Sequence, residues 1–290
     1  MRIYNVFPRL TRTRQMSLWH KALKQQWSAT DLDWKAPGTP RGDGFKDHLG
    51  RVLTPVITGE QSALYSVATL IPILGGNSEV EGQFYLGTWV VDEARHTELF
   101  VRYYERLGRE PMSIRKFPYG YLFQSQIGST EPAVWLAGTL VSEVLAKLVM
   151  EEFRRLDLDP VLNQIAEGIL ADEARHLAFN HIYLEERFGG LFREGERAGR
   201  DLAERLEARL EAVMAHVAPI FDHLDADLRA VGLDRDLLYE EMRREARERL
   251  RTSIERGERA AAGVPAAGMA TEGVPLGGAS TASGSSASQD

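Results

Sequence analysis

A chain of 290 residues with 43% hydrophobic side chains can bury one large core, and a net charge of −7 argues against nucleic acid as its main partner. It has no cysteine, which excludes disulfides, thiolate nucleophiles, iron–sulfur clusters and a rubredoxin-type appendage, and suits a reducing cytoplasm. The basic opening MRIYNVFPRLTRTRQ lacks an apolar signal region and no uninterrupted apolar run reaches membrane-spanning length, so a soluble protein with no membrane partner is expected.

In chain order, residues 1–45 read as an N-terminal arm. Arg2, Arg9, Arg12 and Arg14 form a solvated basic opening, PGTPRGDG at 37–44 is turn-rich, and Trp19, Trp27 and Trp34 dock the arm on the helical bundle. A helical domain spans 46–257. Its first core segment, 54–74, is apolar at Ala63, Leu64, Val67, Leu70, Ile71 and Leu74, with Glu60 as its one acid. Pro55 starts this helix or kinks a longer one, Pro72 distorts its last turn, and Gly75-Gly76 ends it. Ser78 is the predicted N-cap of a second helix reaching Leu107 before Gly108. This helix carries Asp92-Glu93-Ala94-Arg95-His96, and Glu93 and His96, three apart, share the face of Tyr85, Trp89, Phe100 and Tyr103.

Ser129 or Thr130 with Pro132 opens a third helix, apolar almost throughout 133–150, with Glu143 as its one acid. Lys147, one turn later, is expected as a pocket cation that binds a carboxylate or delivers a proton; the alternative is a lysine that packs its stem and reaches outward. Asp159 with Pro160 opens a fourth helix, which repeats the pentapeptide as Asp172-Glu173-Ala174-Arg175-His176 on the stripe of Ile165, Ile169, Phe179 and Tyr183; Gly189-Gly190 closes it. Trp89, Tyr65 and Tyr85 are read as core side chains rather than redox relays. Amphipathic helices come next at 195–231, broken at Pro219, and at 234–257. The segment 258–290, rich in Ala, Gly and Ser, is expected to be a disordered tail.

Two Glu-x-x-His pairs aimed at an apolar core, and a lone Glu on each of two apolar helices, require a cation, because buried carboxylates are too costly to keep ionised alone. Four carboxylates, two neutral imidazoles and two divalent ions sum to zero charge. The order Glu60, Glu93/His96, Glu143, Glu173/His176 is that of the ferritin-like di-metal carboxylate bundle. The expected fold is therefore all-α, a ferritin-like four-helix bundle with additional flanking helices. Oxygen ligands with two nitrogens and no thiolate favour iron or manganese over zinc or copper(I).

The runs ITGEQSA around Glu60, FYLGTWVVDEARHTELF around Glu93 and His96, and ILADEARHLAF around Glu173 and His176, with WSATDLDW at 27–34, carry a resemblance. Over residues 15–190 the chain resembles the ribonucleotide reductase small-subunit-like branch of the ferritin-like superfamily, and within it the ligand-binding oxidases. The resemblance implies a di-iron or manganese–iron centre that activates dioxygen. The twin Asp-Glu-x-Arg-His also resembles bacterial multicomponent hydrocarbon monooxygenases, which implies that Asp92 and Asp172 accept the second ring N–H of each ligand histidine while Arg95 and Arg175 balance them.

Departures narrow this. Phe100 stands where a radical-bearing tyrosine would lie and the tail has no relay tyrosine, which disfavours ribonucleotide reduction. Gly138 and Ala63 replace the tyrosine and valine that crosslink in the ligand-binding oxidases. DEARHLAF resembles arylamine N-oxygenases too, although their usual seventh ligand, a histidine one turn before the last Glu, is Ile169 here. The expected activity is dioxygen-dependent oxidation of a C–H or N–H bond of a small organic substrate. An arylamine N-oxygenase, a radical-generating subunit and, without catalysis, an iron-storage protein are the alternatives. No flavin or nicotinamide fingerprint occurs, so electrons are expected from a separate reductase or ferredoxin, and a homodimer is expected.

Overall fold

In the computed structural model, which describes residues 8–263, the described residues form nine α-helices, a short 3-10 turn at Ala29–Asp31 and no strand. In order they are α1 (Thr13–Lys24), α2 (Asp43–Gly76), α3 (Val80–Leu107), α4 (Pro118–Ile127), α5 (Pro132–Leu156), α6 (Pro160–Glu194), α7 (Glu196–Met214), α8 (Ala218–Val231) and α9 (Arg235–Ala261). The pairs α2/α3 and α5/α6 build the expected four-helix core, and α3 and α6 meet across it. α1 lies over α3 and α6, α4 and α8 cover α2, and α7 and α9 cover α5 and α6.

The first core helix is much longer than its apolar stretch. Pro55 and Pro72 both lie inside α2. Pro55 removes one helical hydrogen bond, and Thr58 Oγ1 donates to the carbonyls of Thr54 and Pro55 at 2.9 and 3.1 Å beside it. Leu49, Leu53 and Ile57 are buried on either side, and their packing carries the helix through the proline. Ser78 is not a cap: it adopts a left-handed conformation (φ 61°), and Glu79 holds the N-cap position of α3. Gly108, at φ 67°, ends α3 where expected. Asp159 caps α6, accepting from the amides of Val161 and Leu162 at 2.9 and 3.2 Å.

Gly189 and Gly190 do not close α6, which runs on to Glu194. Gly189 lets a helix approach instead: a Cβ on Gly257 of α9 would lie 2.4 Å from Phe188 Cβ and 2.9 Å from the Gly189 nitrogen. α9 continues to Ala261, so the first residues of the expected tail are helical, while 264–290 lie outside the described residues. α4 has no clear signal in the sequence and is held by its contacts with α2 and α5. α5 is long and apolar enough to cross a membrane by length and composition, but Glu143 and Lys147 interrupt its apolar run and 67% of that stretch is buried inside the protein.

Candidate metal centre

The two Glu-x-x-His helices and the two single-Glu helices bring Glu60, Glu93, His96, Glu143, Glu173 and His176 together, all buried, the imidazoles completely. His96 Nδ1 is 3.2 Å from Glu60 Oε2, 3.8 Å from Glu93 Oε2 and 3.9 Å from Glu173 Oε1. His176 Nδ1 is 3.1 Å from Glu143 Oε2, 3.4 Å from Glu173 Oε2 and 3.6 Å from Glu93 Oε1. Each histidine thus has its own glutamate, Glu60 or Glu143, while Glu93 and Glu173 face both. Glu60, Glu93 and His96 offer ligand atoms within 4.8 Å of one another, and so do Glu93, Glu143 and His176.

This donor set fits two cations. Glu93 Oε2 and Glu173 Oε2 are buried without a hydrogen-bond donor among the described residues, an arrangement that costs free energy unless a positive charge satisfies them. The electrostatics agree. Burial, reinforced by the Glu60 charge against a hydrogen bond from His96, pushes Glu93 up to about 7, and burial beside Glu173 pushes Glu143 well up. Both imidazoles hold a proton well above their usual range despite burial, His96 chiefly through the Glu60 charge and His176 through the neighbouring Asp92 carboxylate and a hydrogen bond to Glu143.

Behind the ligands lies an exchange of partners. His96 Nε2 is 3.0 Å from Asp172 Oδ2, and His176 Nε2 is 3.4 Å from Asp92 Oδ2, so each imidazole faces the aspartate of the other pentapeptide. Arg95 donates to Asp92 and, at 2.8 Å, to Asp172; Arg175 donates to Asp172 and, at 3.0 Å, to Asp92. Burial opposes ionisation of both aspartates, but the histidines and arginines outweigh it and hold them below the usual carboxylate range.

Three further residues carry roles that the sequence did not reveal. Gln26 Nε2 donates to Asp92 at 3.2 Å, and the Trp27 indole N–H donates to Asp172 at 3.0 Å, so the arm completes the network as well as docking. Trp27 lies directly on Gly168 of α6, where a Cβ would come within 2.3 Å of its ring. Trp89 is core as expected, but its indole N–H also donates to Glu93 Oε1 at 2.6 Å and its ring stacks 4.3 Å from His176. Its place four residues before Glu93 was the available signal. Tyr85 is fully buried, whereas Tyr65 is 75% exposed and is no core residue.

Lys147 is not a pocket cation. Its ammonium points to α9 and donates to Glu245 at 2.9 Å: Lys147 lies one turn beyond Glu143, and its long stem carries the charge to the acid on α9. Arg12 and Arg14, expected to be solvated, pair with Glu79 at 3.0 Å and Glu185 at 2.6 Å and tie the arm down. At Gly138, a Cβ would lie 3.3 Å from the Ile127 backbone, so α4 fills the space where a crosslinking tyrosine would stand. A cavity opens from the four glutamates between α2 and α5, roofed by Phe123 of α4 and by Phe221, Leu224 and Leu228 of α8.

An R2-like ligand-binding oxidase with an aerobically reconstituted Mn/Fe cofactor superposes with a TM-score of 0.64 at 18% identity, over 83% of this chain and 93% of that one. A variant of such an oxidase with an aerobically reconstituted Fe/Fe cofactor gives 0.64 at 17% identity over the same shares, and one after photoconversion gives 0.62 at 17% over 83% and 92%. The shared fold is the ferritin-like bundle. No curated protein matches the sequence. The family model described as p-aminobenzoate N-oxygenase AurF matches residues 73–253, which include Glu93, His96, Glu143, Glu173 and His176 and leave Glu60 just upstream. It matches although Ile169 stands at the seventh-ligand position. With more than half of its length matched, the chain belongs to the p-aminobenzoate N-oxygenase AurF family.

Proposed function

We propose that the protein is a dioxygen-using di-metal oxygenase that oxidises an N–H or C–H bond of a small organic substrate; the N-oxygenase family favours N–H. The observation that carries this reading is the pair of buried Glu/His clusters sharing Glu93, with carboxylate oxygens that lack donors. Glu60 and His96 would hold one ion, Glu143 and His176 the other, and Glu93 and Glu173 would lie between them. Two iron ions, or one manganese and one iron, suit these donors and, when bound, supply the electrons and the site for dioxygen.

The chain's own part is to orient and exclude. Asp172 and Asp92 face the Nε2 atoms, so each Nδ1 is the ring nitrogen turned toward the glutamates, where bound ions would displace its proton. Trp89 pins one oxygen of Glu93, and the apolar walls keep bulk water from the reacting atoms. Electrons would come from a separate reductase or ferredoxin, and the same reading takes the protein as a cytoplasmic homodimer.

The test is elemental analysis with Mössbauer and EPR spectra of protein loaded with ferrous and manganous ions, before and after exposure to oxygen. Roughly two ions per chain and an oxygen-dependent spectral change, both lost in Glu93→Ala, are expected. Fewer than about one ion per chain, or two that never respond to oxygen, would overturn the reading.

A further inference from the structure

We propose that the substrate of this centre is an uncharged, largely apolar molecule, and that the cavity discriminates against a carboxylate such as p-aminobenzoate itself. The inference rests on the di-metal reading, since the cavity opens on the same four glutamates. Among the described residues lining it, the only charged side chains are Glu60, Glu93, Glu143 and Glu173; none is Arg, Lys or His. The neutral polar ones are Gln124 and Ser142, and the Ser142 hydroxyl already donates to the Thr139 carbonyl at 2.9 Å. Gln124 is left to orient one polar group of the ligand.

The cations next in sequence to this wall are all directed elsewhere. Arg51, beside Val52, donates to Asp227 at 2.8 Å; Lys147, beside Ala146, is held by Glu245; and Arg229, beside Leu228, pairs with Asp225. Backbone donors do not replace them. Where α8 reaches the wall, the amides of Ile220 and Phe221 donate to the Val217 carbonyl at 3.0 and 3.2 Å, and Pro219 has no N–H. A substrate carboxylate would therefore lose its water without gaining a donor, which selects against it. Four carboxylates, two neutral imidazoles and two divalent ions would sum to zero charge, so the loaded centre would give no net attraction in exchange. Direct binding of the carboxylate to the ions would turn an amine at the far end of the ligand away from them.

The test compares two probes that share ring and amine and differ in charge: p-aminobenzoate and its ethyl ester. Each is titrated calorimetrically into full-length protein loaded with zinc, which binds but does not oxidise, and each is then supplied to the iron-loaded protein with oxygen and a chemical reductant. The ester should bind at least about tenfold more tightly than the acid, and oxidised product should form from the ester first. Leu145→Arg, which puts a cation on the wall without replacing a ligand or a residue hydrogen-bonded to one, should narrow or invert that ratio. Equal binding, tighter binding of the acid, or no binding of the ester overturns the proposal, and the unsubstituted protein decides this even if Leu145→Arg fails to fold. Ester preference in a chain that holds no metal pair would defeat the di-metal reading and leave the cavity inference standing. Acid preference in a chain with two reactive ions would do the reverse.

Discussion

His96 and His176 occupy the same place in two copies of Asp-Glu-Ala-Arg-His, yet they are anchored by different means. His96 is held by its hydrogen bond to Asp172 at 3.0 Å, and that aspartate also accepts from Arg95, Arg175 and the Trp27 indole. His176 sits 3.4 Å from Asp92, a looser contact, and is instead fixed by the Trp89 ring stacked on its face. Asp92 accepts from the two arginines and from Gln26, with no aromatic donor. The same pentapeptide thus gives a hydrogen-bond anchor in one half and a packing anchor in the other. What differs is the neighbour each half receives: the arm over α6, and Trp89 of α3 against α6.

The seam between the halves is the most sensitive place to break this arrangement. Glu93 and Glu173 face both histidines, whereas Glu60 and Glu143 each face one. Glu93→Ala should therefore lose both ions, and Glu60→Ala only the one beside His96, leaving about one per chain by elemental analysis.

Next in size is a pH effect at that seam. Glu93 is lifted from 4.5 to about 7, so in chelated protein the folded state binds a proton that the unfolded state releases. Its contribution is fully present below pH 4.5 and is lost as pH rises through about 7, a fall of about 3 kcal/mol in this group's share of stability. Bound ions compete with those protons, so loading should reverse the slope. Chemical denaturation of chelated and loaded protein across this range checks the sign.

The two anchors can then be compared directly. Asp172→Asn should weaken metal binding by about 10- to 100-fold, and Asp92→Asn by less, since His176 keeps its stack on Trp89. Competition with a fluorescent chelator measures both. Gly168→Ala, which displaces the Trp27 ring, should reproduce part of the Asp172→Asn loss and leave the Asp92 side unchanged. The smallest effect belongs outside the centre. Lys147→Met removes a partly exposed ion pair with Glu245 and should cost less than about 1 kcal/mol in urea unfolding, with metal content unchanged.

The six ligands were legible because their signal is local. Three-residue spacing puts Glu93 beside His96 and Glu173 beside His176, and the apolar stripes around them, like the apolar runs around Glu60 and Glu143, say which face is buried. The aspartates and arginines were legible as residue types by resemblance, but not their exchange between helices, which depends on how far α3 and α6 slide past one another. Lys147 was misread because one apolar helix has two covered sides, the bundle interior and α9, and composition does not tell them apart. Likewise, residues 54–58 alone do not tell whether Pro55 begins or interrupts a helix; the leucines buried before it do, through partners far along the chain. By itself, then, the sequence determined which helices carry the acids and histidines and that these face a core, since helical periodicity is a property of neighbouring residues. Which aspartate steadies which histidine, that Gln26 and Trp27 close the network, and that α4 and α8 roof the cavity without a cation were decided by tertiary packing, because each of these contacts joins segments whose relative register no local spacing records.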